Sequence, residues 1–167
     1  MFSKKYSHSA FILIILDQMV KLFSLKKKFR DTTLIANFLY LQTCTNDGFS
    51  LSMLASLSKQ YILLIHTACL AVILIYLYLK KSQNVFTSTA KNLILAGALS
   101  NYIDRLSYGS IVDMFKVVLF GRTLFICNLA DVFLSIGVAF GLLGSLDKGK
   151  PKSKFDKYGL ERDHLGL

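Results

Sequence analysis

Three short polar segments interrupt or border the apolar runs of this chain, and their side chains are suited to acid–base chemistry. They are Asp17–Lys21, Asn101–Arg105 and Asn128–Asp131. In each segment the polar residues are three or four positions apart, so on a helix they share one face. Ionisable groups at bilayer depth are costly and usually face a protein interior or a water-filled cavity. The pattern therefore predicts a buried polar site in a membrane protein.

Two carboxylates stand out as a possible catalytic pair. Asp113 follows the second polar segment and Asp131 ends the third. Two carboxylates held close together cannot both ionise easily, so one of them keeps a proton near neutral pH. The ionised member can take a proton from water while the neutral member polarises a carbonyl group. This is the chemistry of an aspartic peptidase, which needs no metal and forms no covalent intermediate.

The other polar residues have simpler interpretations. Asp17 and Lys21 could contact a substrate or could form an ion pair that neutralises itself, and the sequence leaves both open. We interpret Asp104 as a structural partner for a neighbouring span. Asn128 could cap the start of a helix. The recurrence of Asp with Asn at one expected depth favours a functional site.

The sequence offers little for other chemistries, and we predict neither a metal nor a cofactor. The three histidines, His8, His66 and His164, are isolated, so no H-E-x-x-H zinc motif is present. We expect His66 to be a packed or hydrogen-bonded core residue. The sequence has no G-x-S-x-G motif and no Gly-rich phosphate loop.

The composition is that of one integral membrane domain. The 167 residues are 53% hydrophobic and include no Trp, and the mean hydropathy is +0.49. The net charge of +10 is spread along the chain without a nucleic-acid-binding motif. We attribute it to anionic membrane lipids and to span orientation, and predict no nucleic-acid partner.

We predict an all-α membrane protein with four transmembrane helices and a small extracytoplasmic β-cradle between spans one and two. Residues 1–147 form the membrane domain, and we expect 148–167 to be a disordered, basic cytoplasmic tail. Ser107–Arg122 is predicted to be a second outer loop. The four predicted spans are Ser9–Leu25, Tyr61–Leu79, Ala90–Leu106 and Thr123–Leu146.

The three cysteines do not form a disulfide framework. Cys69 lies in the middle of a predicted span and is interpreted as a packing residue. Cys44 and Cys127 each lie close to a polar motif, and two free thiols are favoured over a bridge.

Four blocks resemble, in order, the motifs of the bacterial lipoprotein signal peptidases (signal peptidase II). The last three correspond to the family's N-x-G-A-A-F, G-G-A-x-G-N-x-x-D-R…V-D and F-N-x-A-D patterns. The blocks are Asp17-Gln18-x-x-Lys21; Asn46-x-Gly48; Ala96-Gly97-Ala98-Leu99-Ser100-Asn101-x-x-Asp104-Arg105 with Val112-Asp113; and Asn128-Leu129-Ala130-Asp131.

The resemblance implies a four-span aspartic peptidase of the bacterial cytoplasmic (inner) membrane, sensitive to globomycin, with its site near the extracytoplasmic face. Its substrates would be prolipoproteins, cut just before a diacylglyceryl-modified cysteine, and the enzyme would be a monomer among membrane lipids. Asp113 and Asp131 would be catalytic. The substrate-binding residues would be Asp17, Lys21, Asn46, Gly48, Asn101, Arg105 and Asn128.

Two alternatives come from other functional classes. A small proton-coupled transporter would use the carboxylates as a relay across the bilayer. A non-catalytic membrane subunit would use the motifs to pack helices together. Only a peptidase would release a signal peptide from a lipidated substrate.

Overall fold

The structure is a computed structural model that describes residues 4–48, 57–80 and 84–146. The described residues form four helices and one antiparallel sheet. The tail predicted for residues 148–167 lies outside the described residues. The elements are α1 Lys4–Lys27, β1 Thr32–Ile35, β2 Leu39–Asn46, α2 Lys59–Leu79, α3 Val85–Tyr108, β3 Ile111–Leu119, β4 Arg122–Cys127 and α4 Leu129–Leu146.

Among the described residues, three helices are long and apolar enough to cross a membrane: His8–Lys27 within α1, Lys59–Leu79 and Leu129–Leu146. Large apolar side chains on all three are exposed, as expected for surfaces that face lipid. The third predicted span lies within α3, which is not among these three. The four-span prediction is therefore confirmed only in part.

Helix α3 lies at the centre of the helical bundle and packs against the other three helices. Its buried face is small or polar and includes Ala96, Gly97, Ser100 and Asn101. A helix that faces protein on most sides needs less apolar surface than one that faces lipid. Asn84 caps its first turn, and Gly109, with φ +71°, ends it in the left-handed conformation that glycine tolerates.

The sheet corrects two sequence predictions. Its order is β1-β2-β3-β4, so the predicted outer loop Ser107–Arg122 supplies a central strand and the cradle is not confined to the connection between spans one and two. The last helix does not begin at Thr123, because Arg122–Cys127 is strand β4. Phe120 and Gly121, with φ of 50° and 72°, form the two-residue turn that joins β3 to β4. A short apolar run rich in β-branched and aromatic residues after such a turn forms a strand, although its hydropathy resembles that of a span.

Helices α3 and α4 approach closely at glycines. A Cβ atom on Gly97 would overlap the backbone oxygen of Ala130 and lie 2.7 Å from Leu134 Cγ. Gly137 is similarly crowded, since a Cβ there would lie 2.8 Å from Ile94 Cγ1. Small residues at such positions let helix backbones approach within a membrane.

We expect Gly97→Ala to destabilise the protein by about 1–3 kcal/mol, because the added methyl group must push α4 away. Thermal unfolding in detergent measures this loss of stability. Gly141→Ala is the matched control, because its Cβ would make an ordinary 3.8 Å contact with Ala90. Equal unfolding temperatures for the two variants would contradict the prediction.

Candidate active site

A buried ion cluster joins α1 to α3. The ammonium group of Lys21 lies 2.7 Å from Asp17 Oδ2 and 2.9 Å from Asp104 Oδ2. It also donates to Asn101 Oδ1 at 2.9 Å. Both carboxylates are fully buried and Lys21 is 1% exposed. The sequence left ion pairing and substrate contact open for Asp17 and Lys21, and the structure shows the ion pair.

Each carboxylate of this cluster also holds the backbone next to one member of the predicted catalytic pair. Asp17 Oδ1 accepts the backbone N–H of Ala130 at 2.9 Å, one residue before Asp131. Asp104 Oδ2 accepts the backbone N–H of Val112 at 3.0 Å, one residue before Asp113. Lys21 therefore lies between the two anchors that position β3 and α4, the elements that carry the predicted catalytic pair.

Three further α1–α3 hydrogen bonds support this cluster. Gln18 donates to Asp104 Oδ1 at 2.8 Å and to Ser100 Oγ at 3.0 Å. Ser100 in turn donates to Asp17 Oδ2 at 2.7 Å. The structural role predicted for Asp104 agrees with these contacts. Gln18 belongs to the first sequence motif but was not predicted as a site residue.

Asn128 and Asp131 form a reciprocal cap at the start of α4. The N–H of Asp131 donates to Asn128 Oδ1 at 3.0 Å, and the N–H of Asn128 donates to Asp131 Oδ2 at 3.2 Å. This is the geometry of a capping box. It fixes the Asp131 carboxylate at the N-terminus of α4, where the helix dipole favours negative charge. The helix-capping interpretation of Asn128 agrees with this geometry.

The amide groups of Asn101 and Asn128 connect the two aspartates. Asn128 Nδ2 donates to Asp113 Oδ1 at 2.7 Å and to Asn101 Oδ1 at 3.1 Å. Asn101 Nδ2 donates to Asp131 Oδ1 at 2.9 Å. Because Lys21 also donates to Asn101 Oδ1, the amide nitrogen of Asn101 must face Asp131. One hydrogen-bond network thus reaches both carboxylates.

Both aspartates line a cavity of about 550 Å³. Burial, and to a lesser extent the neighbouring Asp131 carboxylate, raise the pKa of Asp113 to about 7. A carboxyl group with such a pKa is partly protonated at neutral pH and can act as a general acid. The other lining residues are Asn46, His66, Asn101, Ile111, Phe125, Ile126, Cys127, Val132, Leu134, Ser135 and Ile136.

Some of the predicted substrate-binding residues line the cavity, and others are buried behind its wall. Asn46 and Asn101 line the cavity. Asn128 is fully buried beside the aspartates, and Asp17 and Lys21 lie behind it in the ion cluster. Their direct contact with substrate stays a prediction.

Arg105 and Gly48 hold the chain at the end of β2. Arg105 donates through Nη1 to the backbone oxygens of Asp47 at 3.0 Å and Gly109 at 3.2 Å. It donates through Nη2 to the backbone oxygen of Gly48. The N–H of Gly48 donates to Asn46 Oδ1 at 3.1 Å. Arg105 thus orders the turn that carries Asn46 to the cavity wall.

His66 and Cys127 line the cavity although neither was predicted as a site residue. His66 is half-buried in the cavity wall, where the sequence predicted a core residue. Nothing in the spacing of an isolated histidine on an apolar helix points to this position. Cys127 does directly precede the Asn128 motif, a signal that could have identified it.

The cysteines are not bridged, as the sequence favoured. Cys44, on β2, lies opposite Asp113 of β3. Cys127, on β4, lies opposite Phe115 of β3. Strand β3 separates them. Within the described residues, no group of three or more His, Cys, Asp or Glu side chains is arranged to hold a metal ion.

Known proteins are similar to this chain in sequence and in fold. Residues 9–146 match the model of the signal peptidase (SPase) II family. A lipoprotein signal peptidase from Staphylococcus haemolyticus is 33% identical over 146 residues, covering 86% of this chain and 91% of the relative. A lipoprotein signal peptidase from Staphylococcus epidermidis is 35% identical over 136 residues, covering 80% and 83%.

Two solved bacterial membrane enzymes have the same overall structure. The first has a TM-score of 0.75 and 29% identity, covering 92% of this chain and 94% of its own. The second has a TM-score of 0.73 and 29% identity, covering 89% and 96%. These matches give no support to the transporter alternative. With the family model spanning all four helices and both aspartates, the chain belongs to the signal peptidase II family, a family of membrane aspartic peptidases.

Proposed function

We propose that this protein is an aspartic endopeptidase that removes the signal peptide of prolipoproteins, cutting just before a diacylglyceryl-modified cysteine. The family and its lipoprotein signal peptidase relatives support the substrate class. The observation that carries the chemistry is Asn128, whose side chain hydrogen-bonds Asp113 and also caps the helix turn that holds Asp131. Both carboxylates thereby border one cavity.

The hydrogen bonds support different roles for the two aspartates. Asp131 accepts from Asn101 Nδ2 on one oxygen and from the Asn128 N–H on the other, which favours its ionised form. Asp113 is the protonated partner. Asp131 takes a proton from water as the water oxygen attacks the scissile carbonyl carbon, and Asp113 donates its proton to the carbonyl oxygen. As the tetrahedral intermediate collapses, one of its hydroxyl groups returns a proton to Asp113, the C=O bond re-forms and the C–N bond breaks. The proton on Asp131 passes to the leaving amine, which restores both aspartates to their starting states.

The cavity wall is suited to a peptide that is partly embedded in lipid. Its α4 side carries Val132, Leu134 and Ile136, and its β4 side carries Phe125 and Ile126. Apolar walls with a few polar groups are typical of binding sites. An acylated substrate can therefore present its cleavage site while its lipid chains stay in the bilayer.

We place the enzyme in the bacterial cytoplasmic membrane as a monomer, with the site near the extracytoplasmic face. Helix α3 is the fourth span in this proposal, since its 24 residues extend about 36 Å. The sheet and the aspartates lie at one end of the helical bundle, since α1 and α3 lead into strands at their last residues and Asp131 is in the first turn of α4. An outer location gives water access to the scissile bond without opening the membrane interior.

Cleavage of a lipidated substrate tests the function directly. The full-length protein, purified in detergent, should release the signal peptide from a synthetic propeptide that carries a diacylglyceryl cysteine. The same peptide without the lipid is the control and should be cut far more slowly. EDTA should leave the rate unchanged, because two carboxylates activate water without a metal. Failure to release peptide, or strong inhibition by EDTA, would contradict the proposal.

The pH dependence should follow the protonation of Asp113. Its pKa of about 7 means that the protonated, proton-donating form is present below that pH and is lost above it. We expect kcat/KM to fall about tenfold per pH unit on the alkaline side of neutrality. Initial rates across the pH range, with stability checked at each pH, measure this limb. Undiminished activity well above pH 7 would show that Asp113 is not the acid.

A further inference from the structure

The two hairpin turns of the sheet lie side by side at the end farthest from the aspartates. Leu39, the first residue of β2, is opposite Val117 near the end of β3. Val118 N–H also donates to the backbone oxygen of Phe38 at 2.8 Å. The β1–β2 turn and the β3–β4 turn therefore form one edge. We call this edge the sheet tip and define it as Leu34, Ile35, Phe38, Leu119 and Phe120.

The sheet tip exposes more apolar surface than its turns require. Phe120 is 93% exposed, and the other four side chains are each more than 40% exposed. Phe120 also has φ +50°, a conformation that favours Gly or Asn over an aromatic residue. Neither the turn nor a packing contact explains a phenylalanine there. A contiguous exposed apolar patch of this kind marks a contact surface.

One basic residue adjoins the sheet tip, and others lie between α1 and the first strand of the sheet. Lys26, Lys27, Lys28 and Arg30 are exposed in the segment that leads from α1 into β1. Arg122, on the other hairpin, is exposed opposite Leu119. Asp31 is the acidic residue within this segment, and it pairs with Lys116 at 2.7 Å. Exposed cations beside apolar side chains match the phosphate and acyl layers of an anionic lipid surface.

The sheet that carries the patch contacts a helix with a surface that faces lipid. Thr43 on β2 hydrogen-bonds Ser24 near the end of α1 and accepts the N–H of Phe29. On the same turns of α1, Leu22 and Phe23 are 54% and 53% exposed. The sheet thus crosses the end of a candidate membrane span, and its tip extends past that span.

We propose that the sheet tip inserts into the interface of the anionic phospholipid leaflet in which the helices are embedded. The tip side chains enter the acyl region, and the neighbouring Lys and Arg side chains contact lipid phosphates. Because β3 carries Asp113 near its other end, this contact also fixes the tilt of the strand relative to α4. The partner is the bilayer itself, and the contact does not depend on the peptidase reaction.

A single fluorophore tests the proposal, since the natural chain contains no Trp. Phe120→Trp is reconstituted in phosphatidylcholine vesicles containing phosphatidylglycerol, with or without brominated acyl chains. We expect blue-shifted emission, at least about twofold quenching by brominated lipid and little quenching by aqueous iodide. Removing phosphatidylglycerol or raising salt should weaken the bromine quenching, because the basic residues then lose their anionic partners.

Thr45→Trp is the matched control, because Thr45 is exposed on the same sheet at the end away from the tip. Its quenching by brominated lipid should be the weaker of the two. Efficient iodide quenching of Phe120→Trp, with no effect of brominated lipid, would overturn the proposal. Protection from iodide that is lost when the protein is diluted with lipid would also overturn the proposal. That result would mean that a second copy of the chain, and not the bilayer, covers the tip. Both readouts are independent of catalysis, so they separate this proposal from the proposed function.

Discussion

Asp113→Asn and Asp131→Asn should each reduce signal-peptide release by at least about a thousandfold, because each removes one half of the acid–base pair. Asparagine keeps the size of the side chain but can neither accept a proton from water nor donate one as an acid. The variants should insert into the membrane and unfold at temperatures close to that of the natural protein. The measurement is the initial cleavage rate of the purified variants on a lipidated propeptide.

The matched control for these variants is Asp31→Asn. Asp31 is also an aspartate of the sheet region, but its side chain is 57% exposed and pairs with Lys116 away from the cavity. Its replacement should leave the cleavage rate unchanged. Near-normal cleavage by either catalytic variant would refute the assignment of that aspartate, and equal losses in all three variants would point to a general charge effect.

Lys21→Met should destabilise the protein by about 3–5 kcal/mol, because it leaves two buried carboxylates without their cation. Asp17 and Asp104 would then repel each other while still holding the backbones beside Asp131 and Asp113. Cleavage should fall as well, since Asn101 loses the donor that orients its amide toward Asp131. Thermal unfolding in detergent and the cleavage assay measure the two effects separately.

Lys116→Met provides the comparison for Lys21→Met. Lys116 pairs with Asp31 at the same 2.7 Å distance as Lys21 with Asp17, but the Asp31 side chain is mostly exposed. Exposed pairs contribute less than about 1 kcal/mol, so this variant should unfold close to the natural protein. If Lys21→Met also unfolded close to the temperature of the natural protein, the buried cluster could not be what holds β3 and α4 together.

The candidate site could be predicted in part because its chemistry is local in the sequence. Asn128 and Asp131 are three residues apart, and the same spacing produces the capping box that orients the carboxylate. Asp17 and Lys21 are four apart and form an ion pair on one helix face. Asn101 and Asp104 likewise lie on one side of α3, facing the cluster.

The sequence misjudged the strands because hydropathy does not distinguish a short apolar strand from the start of a span. Arg122–Cys127 is apolar and leads directly into α4, so it resembled the first turns of a helix. Its pairing with β3 depends on the turn at Phe120 and Gly121 and on a partner strand. Neither is visible in a hydropathy pattern.

What the sequence determined by itself was the set of chemical groups and the family to which the chain belongs. Residue types and spacings of three or four are sufficient for this, because neighbours on a helix face are fixed by the helical repeat. The tertiary structure alone decided what each group does. Asp17 binds the backbone of Ala130, a residue 113 positions away, and Arg105 holds a turn that is 57 positions away. Such contacts arise only when helices and strands pack, so the support that these side chains give to the two aspartates is visible only in the tertiary structure.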